Sequence, residues 1–386
     1  MRRILAPCLL LLLPALANAD DHKGPPALDD ALVADVSAIV QPWVDSAHLV
    51  GAVVGVIDGD RQGVLGFGRI GYDREGAPGG STIYEIGSVS KTFTGLMLAL
   101  ASEDGTPLED PLGKHVPDGV RAPQHGEAPI TLRQLATQSS GLPRMPPNFA
   151  PANPDDPYAD YDENDLYNGL VTLELVRAPD EAYEYSNLGT GLLGHVLAAR
   201  HGGYEQHLRS IARGLGLSDT SLVVPGAAAS RFAPAYKLDT SDSAPWAFDA
   251  LAGAGGIRST VPDMMAYVRL FLSPPDSKLG RAAATATKRH RKGKDGEPDM
   301  ALGWHIAPDG HRWHNGQTGG YHSFVGFHPD TRKAVVVLSN TGTGHVDKIG
   351  NDILGRLAGK KVEPEALPAL RDVPSPVLDR YTGRYT

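Results

Sequence analysis

IYEIGSVSKTFTGLML, from Ile83 to Leu98, places a serine three residues before a lysine where a strand-like run gives way to a helix-like one. On a helix, positions i and i+3 share a face, so Ser88 in the first turn and Lys91 one turn later set a hydroxyl beside an amine. The helix start also directs backbone N–H groups and positive dipole toward the serine. A serine hydroxyl is a poor nucleophile until a neighbouring base takes its proton. Lysine, with a reference pKa of about 10.4, serves only if burial or nearby charge lowers that value, or if a partner shares the proton. The competing reading is a helix cap with a surface lysine, and the spacing itself arises by chance about once in a chain of this length. Position distinguishes this occurrence, between a strand-like segment and an apolar helix.

With 386 residues, 40.9 kDa and 41% hydrophobic residues, the chain is able to bury a large core. A formal charge of -9 and a pI near 5.8 argue against a nucleic-acid partner. The local basic run KRHRKGKDG, Lys288 to Gly296, reads as a solvated loop. At the N-terminus, Arg2 and Arg3, an apolar run and Ala17-Asn18-Ala19 form the pattern of a secretory signal cleaved before Asp20. The run is too short for a comfortable membrane span, and Pro7 argues against a lipid anchor on Cys8. Cys8 is the only cysteine, so the mature chain is expected to hold neither thiol nor disulfide, which fits a bacterial periplasmic enzyme.

Leu28 to Asp45 is helix-like, and VGAVVGVIDGDRQGVLGFGRIG reads as a hairpin turning at Asp58 to Gly63. FVGFHPDTRKAVVVLSN, Phe324 to Asn340, predicts a second hairpin, followed by a helix from about His345 to Ala358. Between them the chain is helix-like and loop-rich. STVPDMMAYVRLFL opens with Thr260 and Asp263 as a capping box, and the proline-rich stretch Leu142 to Pro157 is a long loop of the kind that frames a site. The predicted class is α/β: one antiparallel sheet built from both chain ends, flanked by helices, with a mostly helical region inserted.

Two further clusters carry chemistry. Tyr185-Ser186-Asn187 is the only Tyr-x-Asn in the chain. In an extended segment its phenol and carboxamide point the same way, one to shuttle protons and one to orient a polar substrate, unless Asn187 merely caps the helix at Leu188. GTGLLG, Gly189 to Gly194, matches the glycine spacing of dinucleotide sites but lacks the preceding strand and is rejected. His314-Asn315-Gly316 precedes Gly319 and Gly320, glycines that let a ligand approach a sheet edge whose free N–H groups suit an oxyanion. The crowd of His311, His314, His322 and His328 lacks cysteine or a clear carboxylate partner, so neither metal nor cofactor is expected.

In this order, Ser88-Val89-Ser90-Lys91, Tyr185-Ser186-Asn187 and His314-Asn315-Gly316 resemble the three motifs of the serine β-lactamase and D,D-peptidase superfamily, in its class C β-lactamase-like branch. LRQLATQSSGLP, LGLSDTS, AGGIRSTVPDM and ALGWHI add to the resemblance, which spans about Leu28 to Ala358. It implies a β-lactamase/transpeptidase-like fold, with residues 20–358 as the catalytic unit. Within that unit, sheet is expected at about 28–88 and 300–358 and helix at about 89–299, with a tail at 359–386. It also implies roles. Ser88 attacks a carbonyl, Lys91 and Tyr185 exchange its proton, and the N–H groups of Ser88 and Gln317 hold the oxyanion. Asn187 binds a substrate amide, while His314 supports the tyrosine.

Two departures bear on substrate. His314 stands where class C enzymes usually have lysine, and Arg144-Met145 where they commonly have a glutamine after Gly-Leu-Pro. Arg144 suits either a substrate carboxylate or a surface ion pair. A titrating His314 predicts a pH limb near 6.5. The expected substrates are β-lactams or peptidoglycan-derived D-amino-acid peptides, with small esters or non-catalytic penicillin binding as alternatives. LDRYTGRYT, Leu378 to Thr386, resembles the first strand of a small barrel that some relatives carry.

Overall fold

The computed structural model describes residues 25–368; the N-terminal leader with Cys8 and the Leu378 to Thr386 run lie outside the described residues. Helix α1 (Asp30–Asp45) begins two residues later than expected, because Asp29 accepts the N–H of Leu32 at 2.8 Å and so caps the first turn. Strands β1 (Gly51–Asp58) and β2 (Arg61–Gly68) form the first hairpin. From the other end come β3 (Asp299–Met300), β4 (His305–Ile306), β5 (Arg312–Gln317), β6 (His322–His328) and β7 (Lys333–Ser339). They join in one antiparallel sheet ordered β2-β1-β7-β6-β5-β4-β3. The seam between chain ends is β1 on β7, in register from Ala52 opposite Ser339 to Asp58 opposite Lys333.

Between the two halves lie α2 (Ser90–Glu103), α3 (Asn187–Ala198) and α4 (Val261–Leu272), and α5 (His345–Leu357) follows the sheet. Val54, Val56, Val335 and Val337 face a core built with α1 and α5, whereas Val53, Ile57, Val336 and Leu338 face the larger core containing α2 and α4. Burial on both faces explains why β7 is an unbroken apolar run rather than an alternating one.

Two local readings change, the capping box and the basic run. Thr260 accepts the N–H of Asp263, but the Asp263 carboxylate does not return the bond; it accepts from Asp219 N and Thr220 Oγ1 instead, tying a distant loop to α4. The glycines of α3 serve packing, since a β-carbon at Gly194 would lie 2.9 Å from Gly253 Cα. The basic run is only partly solvated. Arg291 is buried and pairs with Glu297, which also accepts the N–H of Tyr183 at 2.8 Å and so braces the tyrosine segment.

The segment before α2 is tied to this frame on two sides. Ile86 N donates to Ile257 O at 3.0 Å, Ile257 N donates to Ser90 Oγ at 3.1 Å, and Ser323 Oγ of β6 donates to Ile86 O at 2.7 Å. Two glycines then let the turn lie against β5. Gly87 has φ 50°, and a β-carbon there would lie 2.7 Å from Gln317 N; one at Gly316 would lie 2.0 Å from Ile86 O and 2.8 Å from Ser88 N. The close approach is thus between two parts of the protein rather than between strand and ligand. Gly319 and Gly320 likewise abut Ser243, with Trp246 and Ala235 alongside. Gly316→Ala is expected to push the turn off the strand, costing about 1–3 kcal/mol of stability. Thermal melts should show the loss, together with slower modification of Ser88; a variant with wild-type melting and reactivity would refute the contact.

Candidate active site

Ser88 lies in a single 3-10 turn, Gly87–Val89, that runs into α2. It is half-buried, whereas Gly87 and Val89 on either side are buried. Lys91 is fully buried, which excludes the surface-lysine reading. Its Nζ stands 3.1 Å from Ser88 Oγ, 2.8 Å from Asn187 Oδ1 and 2.6 Å from the Ala254 carbonyl oxygen. Burial, and secondarily the charge of Arg144, hold its pKa well below the usual lysine value. A neutral amine has two N–H bonds and one lone pair. In its neutral form, with Asn187 and Ala254 accepting its two N–H bonds, the Lys91 amine would turn its lone pair to the Ser88 hydroxyl.

The chain before α3 delivers two side chains to this amine. Ser186 is extended, at φ -127° and ψ 114°, and it is the helix cap: its Oγ accepts the N–H of Gly189 at 2.8 Å and donates to Pro143 O at 2.6 Å. Asn187 is therefore not needed as a cap. Its Oδ1 faces Lys91, while Nδ2 donates to Tyr158 Oη at 2.9 Å and to Met145 Sδ at 3.5 Å. The Tyr185 ring centroid lies 4.8 Å from Lys91 Nζ, 5.2 Å from Arg144 Cζ and 6.2 Å from the His314 ring. Burial raises the Tyr185 phenol far above its ordinary pKa, against the opposing pull of a hydrogen bond with Ser88.

On the opposite side, β4 pairs with β5 only at Arg312 and Trp313, so the rest of β5 has no partner strand along that edge. The Ser88 turn sits there, with the backbone nitrogens of Ser88 and Gln317 at the contact and the Gln317 side chain exposed. His314 and Gly316 are buried on the side of the turn; Asn315 points the other way and donates to Asp347 Oδ2 at 2.7 Å.

His314 corrects a sequence expectation. It is buried, 5.1 Å from the ring of His305, with Nδ1 2.5 Å from Asn315 O. Burial, then His305 and Lys91, hold it well below the ordinary histidine range. It stays neutral at pH 6.5 because the imidazolium would be desolvated beside other basic groups, so a limb at that pH does not belong to it. The neighbouring histidines diverge: His322 meets Asp347 Oδ1 at 2.8 Å, His311 meets Asp309 Oδ1 at 2.6 Å, and His328 meets Asp309 O at 3.0 Å.

Four site residues were not singled out from the sequence. Ala254 and His305 lie inside AGGIRSTVPDM and ALGWHI, segments of the resemblance. Tyr183 Oη is 3.0 Å from His305 Nε2, and burial lowers that histidine to a pKa of about 4. Tyr158 directly follows the proline-rich loop, whose sequence carries no local mark of it, and its ring stacks on Phe248 at 4.4 Å.

A buried lysine against a serine, a phenol beside both, and two backbone N–H groups at a strand edge define a serine hydrolase of the class C β-lactamase type. The chain belongs to the Beta-lactamase family, whose family model matches residues 36–360. It is 28% identical over 375 residues to the D-alanyl-D-alanine-carboxypeptidase/endopeptidase AmpH of Escherichia coli, covering 90% of this chain and 95% of that protein. Protein flp of Staphylococcus aureus is 26% identical over 327 residues, 81% of this chain and 64% of its own length. Among solved structures, a β-lactamase/D-alanine carboxypeptidase from Yersinia pestis complexed with citrate has a TM-score of 0.71 at 26% identity, covering 86% of this chain and 100% of that one. A class C β-lactamase shares the fold, with a TM-score of 0.76 at 21% identity, 86% of this chain and 98% of its own.

Tyr158 positions Asn187 and through it Lys91. Tyr158→Phe keeps the ring on Phe248 but removes the acceptor for Asn187 Nδ2, and is expected to lower kcat/KM about tenfold, the scale of one hydrogen bond. Tyr158→Phe with unchanged kcat/KM would exclude that positioning role.

Proposed function

We propose that the protein is a periplasmic serine hydrolase of D,D-peptidase character, which cleaves D-amino-acid peptides through an acyl-enzyme on Ser88 and is acylated there by β-lactams. The carrying observation is the buried Lys91 amine, 3.1 Å from Ser88 Oγ with both of its N–H bonds engaged elsewhere. The activities named for the Escherichia coli and Yersinia pestis relatives support the substrate class. The leader-like N-terminus supports export, with residues 20–358 as the catalytic unit; no helix among the described residues is long and apolar enough to cross a membrane.

In this reading Ser88 Oγ attacks the carbonyl carbon while its proton passes to Lys91 Nζ. The carbonyl π pair moves to oxygen, which accepts from the N–H groups of Ser88 and Gln317. The oxyanion then collapses, the C–N bond breaks, and the leaving nitrogen takes the proton relayed from Lys91 through the Tyr185 hydroxyl. Water repeats the sequence on the ester, returning the proton to Ser88 and releasing the acid. Neutral His314 keeps the phenol in place without adding charge, and Asn187 Nδ2 keeps its bond to Tyr158 Oη while its second N–H turns from Met145 Sδ to the substrate amide oxygen. A peptidase is favoured over a β-lactamase because His314 lacks a fixed ammonium and Met145 lacks an amide.

Penicillin is expected to leave a Ser88-linked adduct visible by intact-protein mass spectrometry and absent in Ser88→Ala. Rapid clearance of penicillin with no adduct would make the protein a working β-lactamase instead. With a D-Ala-D-Ala peptide as substrate, Lys91→Ala and Tyr185→Phe should each cost orders of magnitude, and the double variant less than their product, since both serve one relay.

The pH dependence follows from Lys91. Protonation removes its lone pair, so kcat/KM falls as pH drops through the lowered lysine pKa. That limb should persist in His314→Asn and move to higher pH in Arg144→Gln, because a neighbouring cation disfavours the ammonium form. Disappearance of the limb in His314→Asn would return the titration to the histidine.

A further inference from the structure

Arg144 is exposed at the start of the proline-rich loop, yet its backbone is anchored. Its carbonyl oxygen accepts the N–H groups of Asn187 at 2.9 Å and Leu188 at 3.2 Å, and the preceding carbonyl, Pro143 O, accepts from Ser186 Oγ at 2.6 Å. The loop is thereby stitched to the first turn of α3, the turn that carries Asn187 to Lys91. From this fixed base the guanidinium reaches over Tyr185, with Cζ 5.2 Å from the ring centroid.

The surface ion pair left open by the sequence is not formed: among the described residues the guanidinium has no hydrogen-bond or salt-bridge partner. The carboxylates that follow it in the loop are committed elsewhere. Asp155 meets Lys237 at 3.2 Å, Asp156 accepts from Ala247 N at 2.7 Å, and Asp160 accepts from Ala152 N at 2.9 Å. Asp162 and Asp165 cap their own helix. Of the basic side chains gathered at the site, Lys91, His305 and His314 are buried, which pushes each toward its uncharged form, and the Arg144 guanidinium is the exposed one. Its position over the Tyr185 ring is also a weak restraint compared with a carboxylate, which a guanidinium grips through two parallel hydrogen bonds.

We propose that Arg144 is an anion subsite beside the nucleophile and binds a carboxylate of the substrate. The proposal rests on the hydrolase reading and deepens it: specificity for acidic substrates resides on the loop side of Ser88, at a residue outside the three motifs, and not at His314. The carboxylate belongs either to the C-terminus of the peptide or to a side chain of the acyl portion.

Equilibrium binding to the full-length Ser88→Ala protein separates these sources without turnover. Three probes suffice: an acetylated tripeptide ending in D-Ala-D-Ala as the free acid, its C-terminal amide, and that amide with glutamate as the first residue. One of the two carboxylate-bearing peptides is expected to bind at least tenfold more tightly than the neutral amide, and which one identifies the source. Adding Arg144→Gln should erase the preference, Arg144→Lys should restore part of it, and thermal melts should show all three proteins folded. No preference in the Ser88→Ala parent, or a preference that survives Arg144→Gln, overturns the subsite. The penicillin adduct on wild-type Ser88 tests the underlying reading separately. A preference that Arg144→Gln erases, with no adduct on wild-type Ser88, would keep the anion site and remove the acyl-enzyme; an adduct with no preference would do the reverse.

Discussion

The site depends on keeping one lysine out of water. An amine in bulk solvent is protonated at neutral pH; fully buried, Lys91 is held well below its ordinary pKa. Burial without hydrogen bonds would itself be costly, so each N–H needs an acceptor. The Asn187 side chain and the Ala254 carbonyl supply them, one from the first turn of α3 and one from the segment leading to α4. The remaining lone pair has only Ser88 to face.

Much of the surrounding architecture serves those two acceptors. Asn187 is oriented because Ser186 takes over the capping duty and Tyr158 occupies the far end of the amide. Ala254 is placed by tight packing around Gly253, which touches Gly194 of α3 and the Thr94 hydroxyl of α2. Behind the Ser88 turn, the buried Glu85–Arg258 pair at 2.8 Å joins the strand-like entry to the same segment, and Trp246 N donates to Glu85 Oε1 at 2.9 Å. Breaking such a pair leaves an uncompensated charge, at a cost of about 3–5 kcal/mol.

Electrostatically the site is a row of groups pushed toward neutrality with one cation at its rim. Burial drives Lys91, His305 and His314 down and Tyr185 up. Groups that carry no charge at rest avoid the cost of holding an unpaired ion in a dry pocket. Arg144 on its anchored loop carries the positive charge that His314 does not.

The sheet from both chain ends was legible because β1 and β7 are long apolar runs bounded by turn residues, and the helix after β7 because its period is clear. Ser88, Lys91, Tyr185 and Asn187 were legible as spacings: three residues on a helix and two in an extended segment are distances that local geometry sets. The capping role of Ser186, the inward turn of Arg291 and the neutrality of His314 were not, since each depends on residues far away in the chain. Tyr158 left no local signal because its partner Asn187 is met only across the folded loop. The amino-acid sequence therefore determined which side chains share a face and which segments bury themselves, both short-range consequences of backbone period and hydrophobicity. The tertiary structure decided which of those side chains lose their water, and with it their charge, because desolvation is a property of everything packed around a group.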